Sequence, residues 1–375
     1  MAAPAPHAPP ALVPHSVPGS ELWARVGSRG EARRRIEHIL VLILRQIAAG
    51  QVPTLALTDG VTLLALAGWR SGSPVRLARA VKMLRLLHER LEHDDVSTLT
   101  DLKYTLRPCG PFASLEAATE RTAIALAIED VCDLVCATRG DLNIEAKGVA
   151  IVSGAVTLTN TTTTPVTVFN VSDLPGGCFN IGGDADAYRD GRWTFATEAE
   201  VMLITEHDAT RSYLANAART TTEFGAAAPI LFTPSGHFDS TALHFVSELL
   251  RQNPRVKAYV LGDYNVWGAN IWAVAKHGPA RGMGCGAKLP SLRWLGVHHE
   301  WMAGLRTTAL TQRDVTVGQN LAARLRGLGD ARWAAEVEGM WRSGKQAQVQ
   351  AAYTRGGARA LLARLGQMVA EGKYL

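Results

Sequence analysis

Residues 258–268 read AYVLGDYNVWG, a short apolar run that ends at a glycine and an acid. The residues YVL at 259–261 favour a β-strand, and the glycine that precedes Asp263 ends it. An apolar run of this length is typical of a strand buried in a parallel sheet. Such a strand brings Asp263 to the carboxyl edge of the sheet, where open α/β sheets bind ligands and metal ions. The alternative is an ordinary loop acid after a buried strand.

Further strands and helices alternate around this stretch. The apolar runs VMLIT and PILFT, at 201–205 and 229–233, predict two more buried strands. Helical patterns follow the three strands at 209–222, 240–253 and 269–276. This βαβαβα order predicts a parallel sheet with right-handed crossovers, and the chain from about residue 308 onward is mainly helical.

Two of the three predicted strands end in an acid. Glu206 follows the strand at 201–205, and Asp263 follows the strand at 258–261 with Asn265 two positions later. Parallel strands end at the same sheet edge, so these oxygen-bearing side chains can converge on one ion. Hard oxygen ligands suit Mg²⁺, which keeps several waters and bridges to substrate phosphate. The alternative is that the acids only stabilise the N-termini of the helices that follow the strands.

Composition and missing motifs exclude several other classes of protein. The chain has 375 residues, enough for two domains, and its 47% hydrophobic and 19% charged residues describe a globular protein with a net charge of +5. Its five cysteines are scattered, which argues against a disulfide framework. The longest apolar runs fall far short of the roughly 20 residues that span a bilayer, so we expect no membrane partner. The sequence contains no P-loop motif, the signature of many nucleotide-hydrolysing sites. It also has no GxGxxG after the first predicted strand, the signature of a dinucleotide-binding site.

The N-terminal part of the chain predicts a domain of helices and a small hairpin. Residues 1–30 are rich in Ala and Pro and predict a disordered leader. Helical patterns follow at 31–49, 74–93 and 114–137. Residues 142–158 read as a β-hairpin with glycines near its turns. Helices followed by a small hairpin fit a winged-helix domain.

Basic side chains mark the surfaces that would contact DNA in such a domain. Arg76 and Arg79 lie on the basic outer face of the second predicted helix, and Lys147 lies near the predicted hairpin tip. A wing at that position would meet the backbone of a duplex through Lys147. The helix at 31–49 has an apolar face wider than one stripe, which indicates burial on two sides or contact with a partner.

Several motifs, in order along the chain, resemble the A subunit of topoisomerase VI and its eukaryotic relative, the meiotic double-strand-break transesterase of the sporulation-eleven family. TDLKYTL at 100–106 lies where the family has an Arg-acid-apolar-Tyr-Tyr motif. LITEHDAT at 203–210 resembles the first Toprim motif, and TPSGHFD at 233–239 its Gly-Lys-Gly-Tyr-Pro-Asp loop. LGDYNVWG at 261–268 resembles its Asp-x-Asp-Pro-x-Gly motif. The resemblance runs from about residue 35 to the end of the sequence.

The resemblance implies an α/β multidomain fold. After the leader at 1–30, a winged-helix (catabolite-activator-like) DNA-binding domain would span 31–172 and carry the catalytic tyrosine. A Toprim α/β parallel-sheet domain, which binds the metal, would follow at 173–375 and include a helical C-terminal extension. By the same resemblance Tyr104 is the catalytic nucleophile, and Glu206 and Asp263 bind Mg²⁺.

Some positions depart from the family motifs. Asn265 stands at the position of the second acid of the metal motif, where we expect it to act as a metal ligand. Thr100 replaces the arginine of the tyrosine motif and Lys103 replaces its first tyrosine. Ser235 replaces the lysine of the Toprim loop.

The implied activity is that of a transesterase like the DNA topoisomerases (ATP-hydrolysing) of type IIB, of the isomerase class, that forms meiotic DNA double-strand breaks. A phenol is a weak acid at neutral pH, so attack by Tyr104 on a phosphodiester needs a neighbouring cation such as Lys103 or Arg107. Both side chains are expected to contact DNA, together with Arg76, Arg79 and Lys147.

Further expectations concern partners and location. Attack would leave a 5′-phosphotyrosyl end, and one tyrosine cuts one strand of double-stranded DNA, so a homodimer is implied. In this family the tyrosine of one protomer and the metal site of the other compose each centre. A topoisomerase VI B-like subunit would bind through the helix at 31–49. The expected location of the protein is the nucleus, on the chromosome.

Three other functions stay open at this point. One is the A subunit of a general topoisomerase that relaxes and decatenates DNA with an ATPase B subunit. Another is a DNA-binding scaffold whose chemistry has decayed, since Thr100 provides less charge for the phosphate and Asn265 removes an anionic ligand. The last is a metal-dependent nuclease in which Tyr104 takes no part.

Overall fold

The computed structural model describes residues 26, 28–56, 63–65, 74–108, 110–113, 115, 117–145, 149–182, 185–279, 287–353 and 356–375. The chain divides into two compact units: the N-terminal unit runs to Ile144, and the C-terminal unit begins at Glu145. This division lies earlier than the domain limit at 172 predicted from the sequence, and the limits 1–30, 31–172 and 173–375 remain a proposal. Most of the predicted leader, and Lys147, lie outside the described residues.

Helices form most of the described part of the N-terminal unit: α1 (Arg29–Ala48), α2 (Pro74–Glu92), α3 (Leu99–Leu106) and α4 (Ala117–Val135). Apolar residues recur at helical spacing on α1, α2 and α4, and these three helices pack against one another. Ile36, Leu84 and Ile128 are fully buried among them. The helices predicted from apolar periodicity are therefore confirmed within a few residues at each end.

Short strand pairs complete the described part of this unit. β1 (Thr54–Ala56) pairs antiparallel with β2 (Leu63–Ala65), and β3 (Ser97–Thr98) pairs with β4 (Ile144–Glu145). The winged-helix assignment is not confirmed by these elements and stays a prediction.

The C-terminal unit contains the remaining strands: β5 (Ile151–Ser153), β6 (Thr157–Asn160), β7 (Thr167–Asn170), β8 (Cys178–Asn180), β9 (Trp193–Ala196), β10 (Val201–Thr205), β11 (Ile230–Thr233), β12 (Lys257–Leu261), β13 (Arg293–Gly296), β14 (Thr308–Ala309) and β15 (Lys345–Gln346). Six of them form one sheet in the order β13-β12-β10-β11-β5-β8. Strands β10 to β13 run parallel, whereas β5 and β8 pair antiparallel at one side. The predicted parallel sheet is thus confirmed.

The predicted β-hairpin at 142–158 is wrong. Its residues belong to three different sheets: β4 pairs with β3, β5 pairs with β8 and β11, and β6 pairs with β7 and β9. Val152 of β5 is fully buried within the large sheet, where β8 and β11 pair with the strand on its two sides, whereas a two-stranded hairpin provides only one neighbour. Gly154 has a φ of +107°, and a Cβ there would lie 2.7 Å from the Pro229 carbonyl oxygen. This glycine therefore permits close approach of two chain segments rather than a hairpin turn.

Helices cover the sheet and form the C-terminal extension: α5 (Ala185–Arg189), α6 (Asp208–Ala218), α7 (Ser240–Gln252), α8 (Val266–His277), α9 (Gln312–Gly327), α10 (Ala331–Ser343) and α11 (Gly357–Ala370). The extension also reaches the loop after β12. Tyr264 and Ala347 exchange two backbone hydrogen bonds, of 2.8 and 3.0 Å. The extension thereby fixes the backbone next to Asp263.

Crossing a bilayer requires a helix that is both long and continuously apolar. None of the helices in the described part of the chain combines the two to that degree.

Candidate metal centre and candidate nucleophile

The carboxyl edge of the large sheet brings together two acids and a histidine. β10 and β12 are parallel neighbours, with Thr205 opposite Leu261, so the residues that follow them emerge side by side. Glu206, His207 and Asp263 each place one ligand atom within 4.8 Å of the others. The convergence of Glu206 and Asp263 is therefore what the strand pattern predicts, and His207 is an addition to it.

Glu206 has an oxygen that no group of the described chain satisfies. Its Oε2 is buried and has no hydrogen-bond partner, whereas its Oε1 lies 3.5 Å from His207 Nε2. Burial, followed by the nearby charge of Asp263, raises the pKa of Glu206, and His207 lowers it to a lesser degree. An unsatisfied buried carboxylate oxygen is costly, so this arrangement favours a bound cation.

Asp263 is held by the C-terminal extension. It is only 6% exposed, and its Oδ1 accepts a hydrogen bond of 2.9 Å from the Val349 N–H. Burial raises the pKa of Asp263, and the hydrogen bond from Val349 and the charge of His207 oppose that shift. The side chain is thus fixed in direction while its other oxygen, Oδ2, faces Asn265 Nδ2 at 3.4 Å.

Asn265 is the N-cap of α8. Its Oδ1 accepts a hydrogen bond of 2.6 Å from the Gly268 N–H, as asparagine does at the start of many helices. The amide oxygen is therefore engaged in capping, and the role of Asn265 as a metal ligand stays a prediction.

Gly268 leaves room beside the two carboxylates. A Cβ at this position would lie 3.3 Å from Glu206 Oε2, from Asn265 Oδ1 and from the Asp263 carbonyl oxygen. The absence of a side chain preserves a space that is lined by oxygen atoms. Oxygen-lined space of this kind fits a divalent cation, so the residues present are suited to the metal that the sequence predicts.

Other residues near this edge make contacts that do not involve the carboxylates of Glu206 and Asp263. Asp208, a further oxygen donor in the sequence, instead binds Arg211 at 2.6 Å. The loop after β11 holds Glu206 in place, because the Gly236 N–H donates to the Glu206 carbonyl oxygen at 2.8 Å. Ser235, which stands where the resembled motif has lysine, donates from its hydroxyl to the Val149 carbonyl oxygen at 2.7 Å.

Tyr104 lies on α3 in the N-terminal unit and is 66% exposed. The start of this helix is fixed by a capping box between Thr98 and Asp101. Lys103 and Arg107 both pair with Glu120, at 3.4 and 3.8 Å, and the Glu120 side chain is only 1% exposed. The exposed phenol therefore lies on a helix whose two cations, Lys103 and Arg107, pair with a buried carboxylate.

The two arginines predicted to contact DNA have partners in the same unit. Arg76 donates from Nε to Asp130 Oδ2 at 2.8 Å, and Arg79 donates from Nε to the Pro111 carbonyl oxygen at 3.0 Å. These contacts give both arginines a structural role, and their contact with DNA stays a prediction. Tyr104 and its neighbours belong to the N-terminal unit and the acids to the C-terminal unit.

The sequence predicted the acids but missed His207 and Val349 as parts of the site. His207 could have been found, because it directly follows Glu206 at the end of a buried strand. Val349 had no such signal, since the contact uses its backbone N–H and joins residues 86 positions apart.

Residues 201–360 match a family model for the Toprim domain that the A chain of topoisomerase 6 shares with Spo11. Over these residues, which are less than half of the chain, the protein is similar to a Toprim domain of this kind. The resemblance drawn from the motifs is thereby confirmed, and Glu206, Asp263 and Asn265 all lie within the matched Toprim residues. Toprim domains bind divalent metal ions, which agrees with the acidic cluster at the sheet edge. Tyr104 lies outside the matched range.

A curated relative supports the same family. The chain is similar to the "Meiotic recombination protein spo-11" of Caenorhabditis elegans, at 26% identity over 274 residues. The aligned part covers 71% of this chain and 58% of the relative, so the chain spans less than two thirds of that protein. Neither comparison supports ATP hydrolysis by this chain.

Proposed function

We propose that this protein is a DNA transesterase that forms meiotic double-strand breaks and so initiates homologous recombination. The observation that carries the proposal is the cluster of Glu206, His207 and Asp263 at the edge of a Toprim domain of the Spo11 family. The relative named for meiotic recombination supports the meiotic role. The place of action is then the chromosome in the nucleus.

In the proposed reaction the Tyr104 phenol oxygen attacks the phosphorus of a DNA phosphodiester. The new O–P bond forms as the bond from phosphorus to the 3′ oxygen breaks. The phenol proton leaves to solvent, and the 3′ oxygen takes up a proton to become a hydroxyl. The products are a 5′-phosphotyrosyl end and a free 3′-hydroxyl, and no external oxidant or reductant is needed.

The residues around Tyr104 are suited to this step. Arg107 lies three residues after Tyr104 on α3, a spacing that makes the two side chains neighbours on the helix surface, so Arg107 can place positive charge near the attacked phosphate. Lys103 is the proposed second cation. The buried Glu120 orients the two cations without covering them, since the Arg107 side chain is still 61% exposed. A divalent ion held by Glu206 and Asp263, which we propose to be Mg²⁺, would supply further neutralisation of phosphate charge.

The proposed partners follow from this chemistry. A double-strand break requires two tyrosines, so we propose a homodimer on double-stranded DNA. A topoisomerase VI B-like subunit would bind α1, whose residues Val41, Leu44 and Ile47 are exposed although apolar. Arg76, Arg79 and Lys147 are proposed DNA contacts.

Two alternatives remain as candidates. The A chain of a type IIB topoisomerase would use the same residues with an ATPase partner. A non-catalytic DNA-binding scaffold is favoured by one observation: Asn265, at the position of the second acid, uses its oxygen to cap α8.

The test is formation of a covalent DNA adduct. The protein, expressed with its B-like partner, is incubated with Mg²⁺ and a duplex labelled at its 3′ ends, so that the label stays on the fragment that the tyrosine would hold, and the adduct is isolated under denaturing conditions. We expect label on Tyr104, and Tyr104→Phe should abolish the adduct while DNA binding persists. Tyr213→Phe is the matched control, because Tyr213 is also partly exposed and its stacking on Tyr353 survives loss of the hydroxyl.

Other outcomes distinguish the alternatives. DNA binding without any adduct in the unmutated protein would support the scaffold. Cleavage that persists in Tyr104→Phe would support a metal-dependent nuclease. Adduct formation coupled to relaxation of supercoiled DNA would support the general topoisomerase.

A further inference from the structure

The donor set at the sheet edge contains a nitrogen as well as oxygens. His207 Nε2 lies 3.5 Å from Glu206 Oε1 and belongs to the group whose ligand atoms lie within 4.8 Å of one another. The His207 side chain is 48% exposed, so an ion and its waters can reach the ring from solvent. This geometry places an imidazole where the sequence pattern predicted only oxygen donors.

The backbone of His207 is rigid although its ring is accessible. His207 is the N-cap of α6, yet its side chain makes no capping hydrogen bond. Its carbonyl oxygen accepts from Thr210 N–H at 3.1 Å and from the Thr205 hydroxyl at 3.2 Å. The backbone that carries the ring is therefore held at the start of α6, and the ring itself makes no hydrogen bond that caps the helix.

Asn265 is less suited than His207 to supply the third donor. The Asn265 oxygen already accepts the short bond from the Gly268 N–H, and its NH₂ group faces Asp263. A ligand needs a lone pair directed at the ion, and the Asn265 amide directs its hydrogens towards the carboxylate. The neutral imidazole of His207 can offer such a lone pair.

We propose that His207 is a metal ligand, so that the site is a mixed nitrogen–oxygen site formed by Glu206, His207 and Asp263. Imidazole suits transition-metal ions, whereas Mg²⁺ prefers oxygen. His207 then raises the affinity for Co²⁺ much more than the affinity for Mg²⁺, and the affinity for Mn²⁺ by an intermediate amount. The proposal deepens the metal site of the proposed function and rests on it.

The first measurement is pulsed electron paramagnetic resonance of the full chain with Mn²⁺ alone and no DNA. We expect a ¹⁴N coupling from a directly bound imidazole, which His207→Asn removes. His237→Asn is the matched control, since His237 lies in the neighbouring loop after β11 but outside the cluster. Loss of the coupling in His237→Asn, its persistence in His207→Asn, or the absence of Mn²⁺ binding would each overturn the proposal.

The second measurement compares ions by calorimetry. His207→Asn should lower the Co²⁺ affinity by about tenfold or more, which is the size of loss that mutations around a metal site commonly cause. The Mg²⁺ affinity should fall by less than about threefold. An equal loss for both ions would show that His207 acts only through charge or folding, against the proposal. Circular dichroism and the melting temperature show whether the variant is folded.

Failure of this proposal can be distinguished from failure of the proposed function. A ¹⁴N coupling without any DNA adduct would leave His207 as a ligand and remove the transesterase. An adduct at Tyr104 without the coupling would leave the transesterase and remove His207 from the metal.

Discussion

At the scale of single residues, Gly268 has the most specific effect on the candidate metal centre. Because a Cβ there would lie 3.3 Å from Glu206 Oε2, Gly268→Ala must displace the carboxylate or the helix start. We expect divalent-ion affinity to fall by about tenfold, which corresponds to ~1.4 kcal/mol. Calorimetric titration with Mg²⁺ and with Mn²⁺ measures this loss.

Gly339→Ala is the matched control for Gly268→Ala. Gly339 also lies in a helix, and the nearest atoms to its added Cβ are at 3.8 Å and beyond, an ordinary contact. Replacing glycine by alanine favours the helix by up to ~1 kcal/mol in both variants. We therefore expect the two variants to differ only in metal binding, which Gly268→Ala should weaken. Unchanged affinity in Gly268→Ala would show that the ion does not occupy the space beside Glu206.

Sequence analysis found the acids of the centre for a simple physical reason. Parallel strands end at one edge, and Glu206 and Asp263 each follow a continuous apolar run. It could not find the N–H of Val349, because backbone groups carry no signature in the side-chain pattern. It also could not show that the Asn265 oxygen caps α8, since capping depends on local geometry.

At the scale of elements, α3 depends on its capping box for a defined start. Thr98 accepts from the Asp101 N–H at 3.2 Å, and Asp101 accepts from the Thr98 N–H at 2.8 Å. Thr98→Ala removes one of these bonds and should cost α3 about 1 kcal/mol. Hydrogen exchange of the α3 amides should then become roughly fivefold faster, and the Tyr104 adduct should form more slowly.

Thr316→Ala provides the control for this cap. Thr316 is exposed on α9, and its hydroxyl donates to the Gln312 carbonyl oxygen within the helix. Alanine favours a helix interior, so exchange on α9 should stay the same or slow slightly. Unaltered exchange on α3 in Thr98→Ala would show that tertiary packing, rather than the cap, fixes the helix start.

Element prediction succeeded where burial is uniform and failed where it is not. Strands β10, β11 and β12 are buried along almost their whole length, and their continuous apolar runs therefore predicted them correctly. The segment 142–158 has short apolar runs separated by glycines at 148 and 154, which imitates a hairpin although its strands lie in three sheets. Only the partners of β5, which lie far along the chain, decide between the two arrangements.

At the scale of the whole molecule, two separate hydrophobic cores predict two steps of unfolding. One core lies in the N-terminal unit and the other in the C-terminal unit, which also contains Glu206 and Asp263. Mg²⁺ at a hundredfold its dissociation constant should stabilise the C-terminal unit by about 2.7 kcal/mol and leave the other unchanged. Differential scanning calorimetry with and without the ion checks this.

Glu206→Gln tests whether the shift in melting comes from the proposed site. It should abolish the Mg²⁺-dependent shift while leaving the transition of the N-terminal unit in place. A single transition that moves as a whole, or a shift that survives Glu206→Gln, would contradict the assignment of ion binding to one unit.

The antiparallel strand β5 has a consequence for synthesis on the ribosome. Its partners β8 and β11 lie later in the chain, and β11 begins only at Ile230. At about 5–20 residues per second, the nascent chain needs several seconds after Ser153 before β11 emerges. During that interval the backbone groups of β5 that pair with β11 in the folded protein have no partner. The large sheet therefore cannot form completely until β11 has been synthesised.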